Sequence, residues 1–207
     1  MSRVGRALRA IAALLVFSAP LLAQDPRLKA RLDHPTFVAV SAIVDSARVA
    51  KLPTAPLVDK ALEGAAKGSD GAKIVVAVKQ LSVRMGSAKR ILGSSASADE
   101  IKSAAGAMDS GLSVRDLARL HAAANKRPIT MPLAVVSDLI GQAIPIPTAT
   151  DLVLQLVKSR VSDRDLTLLQ RNVRTDVERG ADPTVAATTR VRGLLLRSTG
   201  TPAKPKE

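Results

Sequence analysis

The sequence predicts an all-α protein of tandem antiparallel helical hairpins, stacked as an irregular α-solenoid or right-handed superhelix, with a closed helical bundle as the alternative. Three observations carry this. Apolar residues recur at three- and four-residue spacing through most of residues 36–197. Ser or Thr followed three residues later by an acid occurs at Ser97, Ser113, Thr148 and Ser162, each time where the apolar periodicity starts afresh. In such a box the hydroxyl accepts from a first-turn amide and the carboxylate complements the positive end of the helix. Gly or Pro then closes most of the periodic runs. About nine helices follow, with no convincing strand: residues 74–78 could pass for one, but the longer stripe containing them has helical spacing.

Residues 1–23 read as a secretory signal peptide, with Arg3, Arg6 and Arg9 as the basic start, an apolar run from Ala10 to Leu22, and Leu21-Leu22-Ala23 as the cleavage site. The chain is therefore expected to be exported, periplasmic or extracellular, and to begin at Gln24. The apolar run is shorter than the roughly 20 residues that cross a bilayer, so no transmembrane span is expected after cleavage. Residues 24–35 are polar and bounded by prolines, which reads as an exposed linker. From Thr36 a helix presents Phe37, Val40, Ile43, Val44 and Ala47 on one face and ends before Pro53, whose ring cannot continue the hydrogen-bond ladder. Thr54 is the expected cap of a second helix that ends near Gly68. Inside it, Gly64 costs about 1 kcal/mol relative to Ala and so marks a close helix crossing.

The longest periodic run follows. Ile74, Val78, Leu81, Met85, Ala88 and Leu92 form its core stripe, while Lys73, Lys79, Arg84, Lys89 and Arg90 lie largely off it. The boxes at Ser97 and Ser113 start two more helices, ending near Gly111 and Asn125. Residues 130–143 carry Leu133, Val136, Leu139 and Ile140 inward. Helices from Thr148 and Ser162 come next, with short links at 111–113 and 160–162 that predict antiparallel neighbours. Pro183 opens the last helix, to about Arg197, and residues 198–207 read as a disordered tail.

Residues 36–197 are expected to form one domain with an internal duplication, about 54–126 and 130–197. Pro56-Leu57…Leu62-x-Gly64-x-Ala66 has a counterpart in Pro132-Leu133…Leu139-x-Gly141-x-Ala143, and Ser97-x-x-Glu100 has one in Ser162-x-x-Asp165. Each half would hold two hairpins. The run Lys60-x-x-Glu63-Gly64-x-x-Lys67-Gly68 with Ile74 after it resembles that of uncharacterised exported bacterial proteins made of Ala-rich helical hairpins. That resemblance implies the all-helical fold and carries no activity.

Composition bounds the function. No Cys is present, which excludes disulfides and thiolate metal sites. Beyond residue 23, Phe37 is the only aromatic. Single-stranded nucleic-acid sites depend on stacking rings, so no nucleic-acid partner is expected. The chain carries 31 Lys+Arg against 18 Asp+Glu, a surplus that favours anionic partners. His34 and His121 are isolated, Asp163 and Asp165 serve a helix start, and no metal, cofactor or catalytic group is expected. The basic groups Lys102, Arg115, Arg119, Lys126 and Arg127, and Arg160, Arg164, Arg171, Arg174 and Arg179, occupy equivalent places in the two halves. Of these, Arg115, Arg119, Lys126, Arg127, Arg164, Arg171 and Arg174 are the candidate binding residues. The expected function is a non-enzymatic, protein-binding or scaffolding module of the bacterial cell envelope. A basic protein attaching to the anionic membrane surface or an envelope polymer is the alternative, and an envelope enzyme ranks last.

Overall fold

The computed structural model describes residues 25–199. The expected signal peptide lies outside the described residues, as does the expected tail from residue 200 on. Ten helices and no strand occur among the described residues: α1 (Pro26–Arg31), α2 (His34–Val49), α3 (Ala55–Ala66), α4 (Gly71–Leu92), α5 (Ala98–Asp109), α6 (Val114–Ala124), α7 (Thr130–Gly141), α8 (Ile146–Lys158), α9 (Asp163–Glu178) and α10 (Pro183–Thr199). The expected tail begins inside α10.

The expected linker at 24–35 is instead mostly helix. Asp25 caps α1 by accepting from the Arg27 amide, Asp33 caps α2 by accepting from the Thr36 amide, and Pro26 and Pro35 occupy the first turns. These prolines start helices rather than break them, because their fixed φ suits the first turn and their missing N–H is not needed there. Leu28 is 1% exposed, so α1 belongs to the core.

Of the four Ser/Thr boxes, those at Ser97, Ser113 and Ser162 cap α5, α6 and α9, each hydroxyl accepting from the amide three residues on. Only Ser97 makes the full reciprocal box, with its own amide donating to Glu100 at 3.0 Å. Glu100 also accepts from the amide of Ile129 at 3.3 Å, which ties the start of α5 to the turn before α7. The box expected at Thr148 fails. Pro147 fits the first turn, α8 begins at Ile146, and Thr148 and Asp151 lie inside the helix. Thr54 makes no side-chain cap either; its carbonyl accepts from Leu57 and Val58 instead.

Helix ends repeat one geometry. At Lys51, Gly68, Gly111, Ala143, Arg160 and Gly180 the chain turns left-handed. In each case that residue and the next donate to carbonyls of the helix's last turn, for example Gly111 to Met108 and Leu112 to Ala107. This satisfies carbonyls that would otherwise lack partners.

The short links behave differently from expectation. α3 packs along α4, α7 along α8 and α9 along α10, but α5 and α6 are not a packed pair, nor are α8 and α9. Among the turns that let helices pair, the residue after the left-handed one is small between α3 and α4 (Ser69) and between α9 and α10 (Ala181), but is the buried Ile144 between α7 and α8. Those whose helices diverge have Leu112, which is buried, or Val161, which packs against the core. The size of that side chain does not by itself set the direction of the next helix, since Leu112 and Ile144 are both buried and only the second is followed by a helix that packs back.

Helices two apart in the chain then pair. α5, α7 and α9 form one row, α4, α6, α8 and α10 a second, and α4·α5, α7·α8 and α9·α10 join the rows. α1, α2 and α3 cover the N-terminal end through α4, and no substantial pairing joins α1–α3 to α7–α10. This is an open stack, as expected of units that bury their apolar faces only against neighbours. Its interior is aliphatic and Ala-rich: Leu117, Leu120, Leu133, Leu139, Val153 and Leu156 are buried, along with Ala104, Ala105 and Ala107 of α5. The α4 stripe is buried as predicted, apart from Leu81, which is half-buried.

Gly64 confirms the close crossing of α3 and α4, since a Cβ there would lie 2.8 Å from Ile74 Cγ1. At Gly106, also within a helix, nothing lies within 4 Å of such an atom. Gly106→Ala is expected to gain about 1 kcal/mol from helix propensity, whereas Gly64→Ala is expected to lose about 1 kcal/mol because Ile74 must move. Urea unfolding of the two variants checks the opposite signs; equal gains would mean that α3 and α4 do not cross there.

Candidate functional site

The seven candidate basic residues fall on separate parts of the stack. α6 and α9 lie in different rows and do not pack together, so Arg115, Arg119, Lys126 and Arg127 form no common patch with Arg164, Arg171 and Arg174. Three of the seven join helices. Arg119 bridges Asp116 of its own helix at 2.9 Å and Asp151 of α8 at 3.2 Å. Arg174 reaches from α9 to Asp138 of α7 at 2.6 Å. Arg127 donates to the carbonyls of Ala124 at 3.0 Å and Val157 at 2.6 Å, closing the ends of α6 and α8 together. Asp116 illustrates the balance at such a clip. Burial alone would raise its pKa, but hydrogen bonds from Ser113 and Arg119 outweigh it and hold the carboxyl below the usual aspartate range.

Arg115, Lys126, Arg164 and Arg171 are exposed and have no side-chain hydrogen bond or ion pair among the described residues. Lys126 occupies the left-handed turn after α6, while Arg164 and Arg171 share the outer face of α9.

Beside that face runs a groove of about 550 Å³ between α9 and α10. Sequence reasoning missed it, although α10 carries a signal in its small residues Ala186, Thr189 and Gly193. Periodicity marks a face as apolar, but it does not tell which helix lies alongside it. Leu169, Ala186 and Leu194 form the groove's apolar floor, and a Cβ at Gly193 would come no nearer than 3.9 Å to any neighbour. Arg190 crosses between the helices to Asp176 with paired contacts of 2.7 and 2.8 Å, and these hydrogen bonds hold Asp176 below its usual range. Asn172, Arg179 and Thr189 also line the groove, and their side chains make no hydrogen bond or ion pair among the described residues.

From Asp165 to Arg179 the groove follows α9 for about 20 Å. It therefore offers an apolar floor, a free amide, a free hydroxyl and a free guanidinium along an elongated channel. No group of three or more His, Asp or Glu that could hold a metal ion occurs among the described residues. His34 is the exposed first residue of α2, and His121 is half-buried in α6. Comparison with known protein families, with curated proteins and with solved structures gave no match to this chain.

The division between clips and free cations is testable. Arg127→Ala should lower stability by about 2 kcal/mol, as expected for losing charge-assisted hydrogen bonds to the carbonyls of Ala124 and Val157. Arg164→Ala and Arg171→Ala should stay within about 0.5 kcal/mol of the parent. Thermal or urea unfolding measures both, and an Arg127→Ala variant as stable as the parent would remove it from the clips.

Proposed function

We propose that the chain is a non-enzymatic helical-repeat binding module of the cell envelope that holds a segment of a partner protein in the α9–α10 groove. The observation that carries this is the groove itself: an apolar floor flanked by side chains with unused hydrogen-bonding capacity, at the end of the stack where no further helix among the described residues covers it. Its length favours a polypeptide over a compact ligand. An amphipathic helix or an extended segment can place side chains over Leu169, Ala186 and Leu194 while Asn172 and Thr189 bond its polar groups. Arg179 within the groove, with Arg164 and Arg171 on the adjoining face of α9, favours an acidic segment. Export to the envelope rests on the character of residues 1–23, and a binding role there is consistent with a chain that holds together without disulfides.

A photo-crosslinking side chain at Thr189, compared with one at exposed Ala118 of α6, tests the site in envelope fractions of the source cell. The expected result is a product formed from 189, absent from 118, and reduced at least tenfold by Gly193→Leu or Arg179→Glu in chains that retain the parent's melting temperature. Gly193→Leu fills open space, so the fold should tolerate it. A crosslink that survives both substitutions would overturn the groove as the binding site.

A further inference from the structure

We infer that the outer face of α4 is a docking surface for an anionic lipid bilayer, on which the protein lies without crossing it. The site is separate from the α9–α10 groove and does not depend on it, since α4 packs on α2, α3, α5 and α6.

α4 is the longest of the described helices, about 33 Å by its rise per residue, and it carries five basic side chains and no acidic one. Two of the five serve the fold. Arg84 pairs with Asp109 of α5 at 2.7 Å, and Lys89 donates to the carbonyls of Ala50 and Lys51 at the end of α2, at 2.8 and 2.9 Å. Lys73 and Lys79 have no partner among the described residues, and Arg90 bonds only Ser87 of its own helix. The acids around the helix are engaged: Asp70 accepts from the Ala72 amide, Asp109 takes Arg84, and Glu63 takes Lys60 and Lys67. Lys60, Lys67 and Lys73 converge on a shallow depression between α3 and α4, so positive charge extends sideways from the lane.

Charge alone would suit any polyanion. The valines point to a bilayer. Val76 is 53% exposed and Val83 62% exposed, opposite the buried stripe of Ile74, Val78 and Met85. They lie seven residues apart on one helical face with Lys79 between them, and Ala72 and Arg90 continue the same line. A dissolved polyanion gains little from exposed valines. At a bilayer surface they enter the headgroup region while lysine stems stretch their ammonium groups to the phosphates. The charges prevent α4 from crossing, and no described helix is long and apolar enough to span a membrane.

The test uses the chain from Gln24, which keeps every residue of the described core, with vesicles of phosphatidylglycerol and phosphatidylcholine against vesicles of phosphatidylcholine alone. Binding is expected only to the anionic vesicles and should weaken as salt rises. Lys73→Gln with Lys79→Gln should weaken it roughly thirtyfold, taking about 1 kcal/mol per basic residue at such a surface. Val76→Asn with Val83→Asn should weaken it at least fivefold, and Lys102→Gln with Lys158→Gln, which removes equal charge elsewhere, should weaken it less than threefold. The proposal is overturned if the parent ignores anionic vesicles, or if the two lysine pairs have equal effects, since binding would then follow total charge. Full binding by the valine variant would also overturn it, by marking a purely electrostatic contact that any dissolved polyanion could make.

Discussion

Burial of aliphatic stripes between helices two apart in the chain is the interaction on which this molecule depends. With no cysteine anywhere in the sequence and Phe37 as the one aromatic among the described residues, the core has no disulfides and a single half-buried ring at its edge. It must bring helices close and bury many small contacts. Ala104, Ala105 and Ala107 give α5 a low profile against its neighbours, and Gly64 lets α3 cross Ile74 of α4. Helices two apart thereby seal one another, and polar clips such as Arg119 to Asp151 and Arg174 to Asp138 fasten members of the same row.

An assembly of this kind consumes the inner faces of its helices and leaves the ends and the outer faces for other work. The groove between α9 and α10 is an end, bounded on one side by α7 and α8 with nothing further packed over it among the described residues. The Val76–Lys79–Val83 lane is an outer face. Between them stand α5 to α8, so a membrane contact and a partner contact would not compete for space. A module placed this way could hold its partner at the bilayer surface.

The fold class was legible because helix starts and apolar spacing are local properties. Ser97, Ser113 and Ser162 mark their helices whatever lies around them, and the α4 stripe is periodic enough to exclude a strand. The failures share a different origin. Pro26 and Pro35 read as breakers until the aspartates before them are recognised as caps, and Thr148 reads as a cap until Pro147 is placed in the first turn. Lys51, Ala143 and Arg160 take a left-handed conformation that glycine usually supplies, so nothing in their identity announced it. The pairing of helices was less legible still, because Leu112 and Ile144 are both buried at the same place in the same turn, yet α8 packs along α7 while α6 leaves α5. Among the candidate site residues, the arginine pattern was visible while its division was not. Whether Arg127 meets a carbonyl or Arg171 meets water depends on which helix lies alongside, and composition and spacing carry no record of that.

Hydrogen exchange resolved helix by helix tests the open stack most directly. In a stack held by neighbours alone, an end can open while the middle stays closed. Amides of α9 and α10 should therefore exchange through an opening that costs less than global unfolding, while those of α7 and α8 exchange only when the whole chain unfolds. Exchange of all four helices through a single common opening would contradict an open stack and favour a closed bundle.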